Sequence, residues 1–349
     1  MEHHIRKAHF IELGQFLRWA TSEPQTPQPQ WSIDFQALET AIAQSQIHNG
    51  WFVREQVVWA LQQWGQALEA SALHAWLEGY TVPAASAQKI GLVLAGNIPL
   101  VGFHDVLCVW LCGHHALIRP SSNDQQLLRF VYDFLCRRDA AWAQCTTWVE
   151  GKLENFDAVI ATGSSNTARY FEYYFQHKPH IIRKNRNSVA VLTGRETAEQ
   201  LAALGHDIFR YFGLGCRSVS KLWVPEGYDF DAFFQAIYPF HTVLELEKYA
   251  NNYDYNKAVY LMSLHKLLEN GFVMLKEEAA YASPIATLHY QTYTDLDQVH
   301  QQLQADAELW QCVVADVAWP EAQPFGSTQQ PGLSDYADRV DTLAFLTAL

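Results

Sequence analysis

The stretch "KIGLVLAGNIPLVGFHDVLCVWLCGHHALIRP", residues 89–120, decides the fold. It begins with an apolar run that ends in Ala-Gly, passes through a Gly-Asn-x-Pro turn signal, and continues as a second apolar run up to Gly113. A short apolar run, ALIRP, follows and is stopped by Pro120. This order predicts a buried strand, a helix and a second strand, at 89–96, 102–113 and 116–120.

The same alternation of short apolar runs and amphipathic segments continues along the chain. Further strands are predicted at 156–163, 188–194, 218–224, 283–290 and 312–317. Helices are predicted at 122–138, 164–175, 197–212 and 243–270, and a helical pattern runs from 35 to 78. Strands that alternate with helices of about 10 to 15 residues indicate parallel sheets with helices on both faces. The basic loop RKNRN, residues 183–187, is the expected boundary between two α/β domains.

The composition is that of a globular chain. Of its 349 residues, 49% are apolar and 17% are charged, which suffices for the cores of one large or two medium domains. The formal net charge is −13 and no block of Lys and Arg stands out, so neither nucleic acid nor an anionic membrane is an expected partner. The most apolar stretch contains Asn97, His104 and Asp105, which are costly in hydrocarbon, so no membrane span is expected.

The cysteines are scattered without a disulfide framework, at positions 108, 112, 136, 145, 216 and 312. Reduced thiols, and an N-terminus without an apolar signal region, predict a cytoplasmic protein. A metal site at Cys108, Cys112, His114 and His115 is the alternative use of this region. The uniformly apolar run VLCVWLC favours core packing instead, so no metal is expected.

The loop LAGNIPLVG, residues 94–102, is the first candidate site. Ligands of open α/β sheets bind outside the carboxyl ends of the strands, which is where this loop is predicted to lie. The side-chain amide of Asn97 can donate a hydrogen bond to an oxyanion there. Because Gly-Asn is ordinary turn chemistry, simple support of the turn is the competing interpretation.

The turn VIATGSS, residues 159–165, is the second candidate site. A strand runs into Thr-Gly-Ser at the opening of a helix, and the free backbone N–H groups of a helix N-terminus suit a phosphate or pyrophosphate. The competing interpretation is an ordinary helix cap by Ser164 or Ser165.

The third candidate site is FRYFGLGCRSVSKLWVP, residues 209–225. Gly213 and Gly215 remove side chains beside Cys216, so a substrate carbonyl can approach the thiol closely. A cysteine thiolate is a strong nucleophile that forms acyl intermediates, and Arg217 would lower the thiol pKa if it points inward. A packed loop cysteine is the competing interpretation.

Taken in order, these motifs resemble those of the aldehyde dehydrogenase superfamily from about residue 75 to the end. GLVLAGNIPL is similar to the family's strand and Trp-Asn-x-Pro loop, ALIRPSSND to its strand ending in Lys-Pro-Ser-Glu, and IATGSS to its Phe-Thr-Gly-Ser turn. GLGCRSVSKLWVP resembles its Gly-Gln-x-Cys nucleophile loop, and PFGSTQQPGLSDYA, residues 324–337, resembles its Pro-Phe-Gly-Gly segment. The resemblance implies two parallel-sheet α/β domains with the active site between them.

The resemblance also implies a domain plan. The N-terminal segment and the cofactor-binding domain would occupy 1–184, and the catalytic domain that carries the nucleophile would occupy 185–318. A C-terminal segment, 319–349, would return to the cofactor domain.

Within the superfamily, RKNRNSVAVLTG and DIFRYFGLGCRSVSKLWVP resemble the LuxC family, the acyl-CoA reductases of the bacterial luminescence type. This implies nicotinamide-dependent reduction of an acyl thioester, carried by CoA or by an acyl carrier, to an aldehyde. Cys216 would be the nucleophile and Asn97 the oxyanion donor. A homo-oligomer is compatible with the sequence. The implied cofactor-binding residues are Ala95, Gly96, Arg119, Ser121, Ser122, Thr162, Gly163 and Ser164.

Two departures from the family pattern bear on the reaction. Aldehyde-oxidising members carry a Glu in a Leu-Glu-Leu-Gly-Gly-Lys segment that activates water, whereas the equivalent HIIRKNRNS has Ile182 or Arg183 near that position and no carboxylate. An acyl-enzyme without that base should resist water and wait for hydride. The Glu of the family's Glu-x-Phe-Gly-Pro, which holds the nicotinamide ribose, is missing from AYASPIA, residues 280–286.

A preference for NADPH follows from the loop after the second strand. NAD-using relatives carry Glu after Lys-Pro-Ser, where this chain has Ser122. Ser122 removes the repulsion of a 2′-phosphate, and Arg119 can pair with that phosphate. Pairing of Arg119 with Asp124 is the competing interpretation.

Three other functions stay open. An acyl-phosphate reductase would use the same thiol and also lack the hydrolytic Glu. An aldehyde-oxidising dehydrogenase would need a relocated base, such as Glu245 or Glu247. A cofactor-binding scaffold with a vestigial cysteine is the non-enzyme alternative.

Overall fold

The structure of the protein is a computed structural model that describes residues 1–23, 27–81 and 87–349. The chain divides into two compact units. Unit 1 comprises Met1–Lys184 together with Gly332–Leu349, and unit 2 comprises Asn185–Pro331. The first division therefore lies inside the basic loop 183–187.

The regular elements of the described residues are helices and strands in alternation. The helices are α1 His3–Ala20, α2 Ser32–His48, α3 Arg54–Ala67, α4 Ala70–Leu77, α5 Phe103–Cys112, α6 Gln126–Arg138, α7 Ser165–Phe175, α8 Ala198–Phe209, α9 Asp231–Ile237, α10 Glu247–Met262, α11 Leu296–Ala305 and α12 Thr342–Thr347. The strands are β1 Lys89–Val93, β2 His115–Arg119, β3 Thr146–Trp148, β4 Ala158–Thr162, β5 His180–Arg183, β6 Asn187–Val191, β7 Val219–Pro225, β8 Leu267–Glu269, β9 Met274–Glu277, β10 Thr287–Tyr293, β11 Trp310–Ala315 and β12 Ala322–Gln323.

Unit 1 is built on a five-stranded sheet in which all neighbouring strands run parallel. Its order is β3-β2-β1-β4-β5, and Ile90 of β1 lies between Ala116 of β2 and Ala158 of β4. Ile90 and Leu92 are fully buried, as expected when helices cover both faces of a parallel sheet. The α/β fold with parallel sheets predicted from the sequence is confirmed.

The N-terminal helices complete the core of unit 1. No motif matches the first 75 residues, yet α1 packs against α3 and α5 and buries Phe10 and Phe16 completely. Phe10 stacks on Trp110 of α5 and contacts the edge of Trp142, so these aromatic side chains form one cluster. In the part of the chain that the structure describes, no helix combines the length and the apolar character that crossing a membrane requires.

Unit 2 is built on a seven-stranded sheet in the order β12-β11-β6-β7-β10-β9-β8. All its neighbouring strands are parallel except β8, which pairs with β9 in the antiparallel sense. The central strand β7 carries VSKLWVP and is buried along most of its length. The nucleophile loop predicted from the sequence leads directly into this strand.

The second division of the chain lies further along than the expected residue 319. Residues up to Pro331 belong to unit 2 because β12 pairs with β11 and because Asp207 of α8 holds the segment after β12. The Asp207 carboxylate accepts hydrogen bonds from the N–H groups of Gly326 and Thr328. Only Gly332–Leu349 returns to unit 1, where α12 packs against α5.

Two helix predictions differ from the structure at their ends. The helix expected at 122–138 begins at Gln126, because Ser121 and Asn123 close a turn of their own through the Asn123 N–H and the Ser121 hydroxyl oxygen. The helix expected at 197–212 ends at Phe209, because Tyr211 and Phe212 have left-handed φ angles of 53° and 57°.

The tract expected to be helical at 243–270 splits into two elements. The helix α10 ends at Met262, and β8 then pairs with β9. Strands β3, β5, β9 and β12 were absent from the prediction. Each of these strands is only two to four residues long, which is too short to show a periodic pattern in the sequence.

A buried ion pair joins three segments of unit 1. Arg183, at the end of β5, donates from Nη2 and Nε to the two carboxylate oxygens of Asp105 in α5, at 2.7 and 3.2 Å. The same guanidinium donates to the Thr342 hydroxyl and to the Ala337 carbonyl in the C-terminal segment. Burial alone would raise the pKa of Asp105, but the Arg183 charge outweighs it and holds the pKa below its ordinary value.

We expect Arg183→Met to lower the free energy of unfolding by about 3–5 kcal/mol, because it leaves Asp105 as an uncompensated buried charge. The neighbouring substitution Lys184→Met is the matched control, since its partner Glu172 is exposed and such pairs contribute little. Adding Asp105→Leu to Arg183→Met should recover part of the loss.

Urea denaturation of the variants measures these differences. The contribution of the pair is complete at neutral pH and is lost as the pH falls below about 4, because the folded-state pKa of Asp105 is depressed. Equal urea midpoints for Arg183→Met and Lys184→Met would contradict the expectation.

Candidate active site

In unit 1 the candidate residues lie at the carboxyl ends of three neighbouring strands. The strand β1 lies between β2 and β4, so the loops that follow all three leave the same edge of the sheet. These loops carry Asn97, Ser121 and Ser164. Asn97 is exposed, and Ala95 is partly exposed. This edge is where open α/β sheets bind ligands.

Two of these loops touch at Gly96. A Cβ atom at Gly96 would lie 2.5 Å from the hydroxyl oxygen of Ser121 and 3.1 Å from the backbone nitrogen of Asp124. Any larger residue at position 96 would therefore push the two loops apart. The glycine before Asn97 permits a close approach of backbone to backbone.

Asp124 supports the Asn97 loop from beneath. The backbone N–H of Leu100 donates to the Asp124 carboxylate at 2.7 Å, and Leu100 has a left-handed φ of 57°. Asp124 is 6% exposed, and burial raises its pKa to about 7. Its other carboxylate oxygen has no hydrogen-bond partner within the described ranges. The competing interpretation is an ion pair between Asp124 and Arg119. In the structure the Asp124 carboxylate instead accepts from the Leu100 N–H.

A cavity of about 660 Å³ opens beside the carboxyl ends of β2 and β3. Arg119 and Arg129 bring two positive charges to it, while Glu150 brings one negative charge. The Arg129 guanidinium lies over the rings of Trp148 and Tyr132. The lining residues are Arg119, Pro120, Ser122, Gln125, Gln126, Arg129, Trp148, Val149 and Glu150.

Polar groups of the turn after β4 are already engaged in hydrogen bonds within unit 1. The Gly163 N–H donates to the carbonyl of Arg183, and the Ser164 hydroxyl oxygen accepts from the Thr167 N–H. Ser164 is therefore the N-cap of α7. Thr162 is the last residue of β4 and is partly exposed. These bonds engage the Gly163 amide and the Ser164 hydroxyl, although both residues are expected to bind the cofactor.

In unit 2, Cys216 is half-buried in a tight turn that enters β7. The Ser218 N–H donates to the Gly215 carbonyl, and the Gly215 N–H donates back to the Ser218 hydroxyl oxygen. The hydroxyl of Ser188, on β6, donates to the Cys216 carbonyl at 3.1 Å. The nucleophile candidate is thus fixed to the sheet through its backbone.

The turn before Cys216 is held in an unfavourable conformation. Tyr211, Phe212 and Gly213 have consecutive left-handed φ angles of 53°, 57° and 76°. Only the glycine adopts this region without steric cost, whereas each of the aromatic residues costs about 1–2 kcal/mol. Both aromatic side chains are buried, so core packing holds them there. Strain of this kind concentrates at functional sites.

A second set of bonds braces the Cys216 turn from the C-terminal side of unit 2. Gln329 donates from its side chain to the Ser218 hydroxyl oxygen at 3.3 Å. Gln329 is itself held beside Thr328, whose N–H and hydroxyl both donate to Asp207. Burial raises the pKa of Asp207, and the hydrogen bonds that it accepts oppose the rise.

Arg217 contacts a different thiol from the expected one. Its Nη1 donates to the sulfur of Cys312 on β11 at 3.4 Å. Burial raises the pKa of Cys312, and the Arg217 charge opposes the rise.

The positions expected to lack a hydrolytic base hold no carboxylate. Ile182 lies on β5, and the Arg183 side chain is engaged by Asp105. Glu245 and Glu247, the relocated-base candidates, are both exposed in unit 2.

The cysteines and histidines of the α5 region are all engaged in packing or hydrogen bonds. Cys108 and Cys112 are buried in α5, where burial raises the pKa of both thiols. His114 accepts from the Gln88 N–H and contacts the Leu346 carbonyl, and His115 bonds to Thr147. Within residues 1–23, 27–81 and 87–349, no cluster of three His, Cys, Asp or Glu side chains suits a metal ion.

Several charged residues near the candidate sites were not predicted from the sequence to have a role there. Asp124, Arg129 and Asp207 lie in polar or amphipathic segments, where a charge usually indicates a solvated surface. Lys221 offered a clearer signal, because it interrupts the apolar strand VSKLWV. It is 1% exposed, its ammonium donates to Ala279 and Gln291 oxygens, and burial lowers its pKa to about 8.

Comparison with known families gives one match. Residues 78–239 match the family model described as acyl-CoA reductase (LuxC). This segment includes Asn97, Arg119 and Cys216. No curated protein matches the chain.

Solved structures share the fold at low sequence identity. An oxidoreductase from Marinobacter aquaeolei is 13% identical with a TM-score of 0.64, over 98% of this chain and 85% of that one. The P. syringae indole-3-acetaldehyde dehydrogenase AldA, in complex with NAD+ and IAA, is 12% identical with a TM-score of 0.63, over 92% and 74%. The aldehyde dehydrogenase KauB from Pseudomonas aeruginosa is 11% identical with a TM-score of 0.63, over 91% and 77%.

The family match and the shared fold agree with the order of motifs in the sequence. The strand and loop of Asn97, the loop of Arg119 and the turn of Cys216 all fall inside the matched segment. Residues 78–239 are therefore similar to the acyl-CoA reductases of the LuxC family, and the chain has the fold of the aldehyde dehydrogenase-like structures.

Proposed function

We propose that the protein reduces an acyl thioester to an aldehyde with NADPH, through an acyl-enzyme on Cys216. The observation that carries the proposal is the Cys216 turn, which is closed on itself and bonded to β6 at the entrance of β7. The LuxC match over this segment supports an acyl-CoA or acyl-carrier substrate.

The proposed chemistry begins at the thiol. The Cys216 thiolate attacks the thioester carbonyl and forms a new sulfur–carbon bond, while the Asn97 amide and the Cys216 N–H stabilise the oxyanion. Collapse breaks the original carbon–sulfur bond, and the leaving thiolate takes a proton to become the free thiol. The nicotinamide cofactor, when bound, supplies the hydride that reduces the acyl-enzyme. The resulting thiohemiacetal on Cys216 collapses to aldehyde and regenerates the thiol.

The cavity beside β2 and β3 fits the adenosine end of NADPH. Arg119 and Arg129 place two guanidinium groups in one cavity, and Ser122 stands where a carboxylate would repel a 2′-phosphate. Glu150, which also lines this cavity, could accept a hydrogen bond from a ribose hydroxyl. Neighbouring folds include one solved with NAD+, which supports a nicotinamide cofactor in general.

The residues at the end of β5, Ile182 and Arg183, favour reduction over aldehyde oxidation. Water attack on the acyl-enzyme requires a base, and the Ile182–Arg183 position supplies none. An acyl phosphate would react at the same thiol, so the two substrate classes differ in the leaving group alone. Six free cysteines suit a reducing compartment, and we place the activity in the cytoplasm.

We expect Cys216→Ala to abolish both the acyl adduct and aldehyde formation, since the proposed mechanism forms the adduct on that thiol. Cys136→Ala and Cys145→Ala remove half-buried thiols of unit 1 and should retain activity. Intact-protein mass spectrometry after incubation with acyl-CoA detects the adduct. Acylation that persists in Cys216→Ala would assign the nucleophile elsewhere, and faster acylation by acyl phosphate than by acyl-CoA would favour the other substrate class.

We expect the acyl-enzyme to hydrolyse slowly when no cofactor is present. The physical reason is that neither Ile182 nor Arg183 is a carboxylate, and that the nearby Asp105 carboxylate is paired with the Arg183 guanidinium. Incubation with acyl-CoA alone, followed by measurement of free acid against covalent acyl, tests this. Ile182→Glu is the matched comparison and should speed hydrolysis. Multiple turnovers to free acid by the wild type would indicate an oxidising dehydrogenase instead.

We expect Arg119→Ala to weaken NADPH binding by about ten- to a hundredfold while NADH binding barely changes. A charge-assisted contact with the 2′-phosphate is worth roughly 1.5–3 kcal/mol, which gives this range. Lys152→Ala, an exposed basic residue outside the cavity lining, is the control. Calorimetric Kd values for both cofactors measure the effect. Equal losses for NADPH and NADH, or wild-type preference for NADH, would refute the assignment.

A further inference from the structure

The turn 121–124 touches the chain on both sides of Asn97. Before Asn97, the space that a Cβ atom at Gly96 would need is filled by the Ser121 side chain and the Asp124 backbone nitrogen. After Asn97, the Leu100 N–H donates to the Asp124 carboxylate at 2.7 Å. The turn is itself closed by the Asp124 N–H on the Ser121 carbonyl. Asn97 therefore lies between two points that one turn fixes.

Leu100 needs this support. Its φ of 57° is left-handed, which leucine rarely adopts because its Cβ meets the backbone. The Leu100 carbonyl then accepts from the Phe103 N–H at the start of α5. The bond from Leu100 to Asp124 thus fixes the path of the loop from Asn97 into the helix.

The choice of a carboxylate at position 124 is not explained by stability. Asp124 is 6% exposed, and one of its oxygens lacks a partner among the described residues. Burying a carboxyl group with a single hydrogen bond is costly, and its pKa is raised accordingly. A residue that costs stability and still holds one amide in place suggests a function for that placement.

We propose that Asp124 is a positioning residue that holds the Asn97 amide where it stabilises the oxyanion. The inference rests on the proposed function, because it assigns Asp124 a task in Cys216 acylation. Asp124 acts through Leu100 and the loop, without contact to the substrate.

A double-mutant cycle with Asn97 separates positioning from general support. The measured quantity is the rate of Cys216 acylation at saturating acyl-CoA without cofactor. This rate is monitored through the CoA thiol that the reaction releases. Asn97→Ala should slow acylation by about a hundred- to a thousandfold, as loss of one oxyanion donor does. Asp124→Ala should slow it by about ten- to a hundredfold with an unchanged KM, because a misplaced group loses rate rather than binding. In the Asn97→Ala background, Asp124→Ala should have almost no further effect.

Two further variants sharpen the test. Asp124→Asn keeps an oxygen that can accept from Leu100, so it should recover most of the rate. Asp124→Leu keeps the volume without the acceptor and replaces Asp124→Ala if that variant does not fold. Asp157→Ala is the matched control, because the Asp157 carboxylate accepts from the Lys89 N–H at the opposite end of β1. It should leave acylation unchanged.

The possible outcomes are distinct. Equal slowing by Asp124→Ala with and without Asn97, or slowing by Asp124→Ala that Asp157→Ala reproduces, would overturn the inference while the proposed function stands. Full acylation by Asp124→Leu would overturn it as well. Absence of any Cys216 acylation in the wild type would instead refute the proposed function, and the inference with it.

Discussion

The buried ion pair between Arg183 and Asp105 is the interaction that holds three separate segments of unit 1 together. It ties the last strand of the sheet to α5 and, through Thr342 and Ala337, to the returning C-terminal segment. The helix α5 begins directly after the loop that carries Asn97, and the first residue of unit 2 comes two positions after Arg183. Loss of either partner leaves an uncompensated charge in an apolar interior, so a substitution on one side alone is strongly destabilising.

Buried carboxylates recur beside both candidate loops. Asp124 accepts from the loop that follows Asn97, and Asp207 accepts from the segment that braces the Cys216 turn. Both are raised in pKa by burial, so each is held at a cost in stability. Carboxylates that bind backbone N–H groups fix a loop at its backbone, and the side chains of that loop remain available for chemistry.

The sequence predicted the elements that have a local pattern and missed those that depend on tertiary contacts. Strands β1, β2 and β7 and helix α5 follow from apolar runs and their Gly and Pro ends. The left-handed Tyr211 and Phe212 could not be predicted, because aromatic residues disfavour that conformation and only burial holds them in it. From the sequence, Asp124 is expected only as a possible partner of Arg119, whereas in the structure it is buried and its turn packs against Gly96.

The contact between Gly96 and Ser121 has a consequence for engineering the proposed cofactor preference. Ser121 fills the space that a side chain at position 96 would need, so Gly96 cannot be enlarged while Ser121 keeps its place. Ser122 lines the cavity and carries no such restriction. A library that seeks to exchange the cofactor should therefore diversify Ser122 with Arg119 and keep Gly96 and Ser121 fixed. A change at Ser121 would act directly on the loop that carries Asn97, because the Ser121 side chain lies against Gly96.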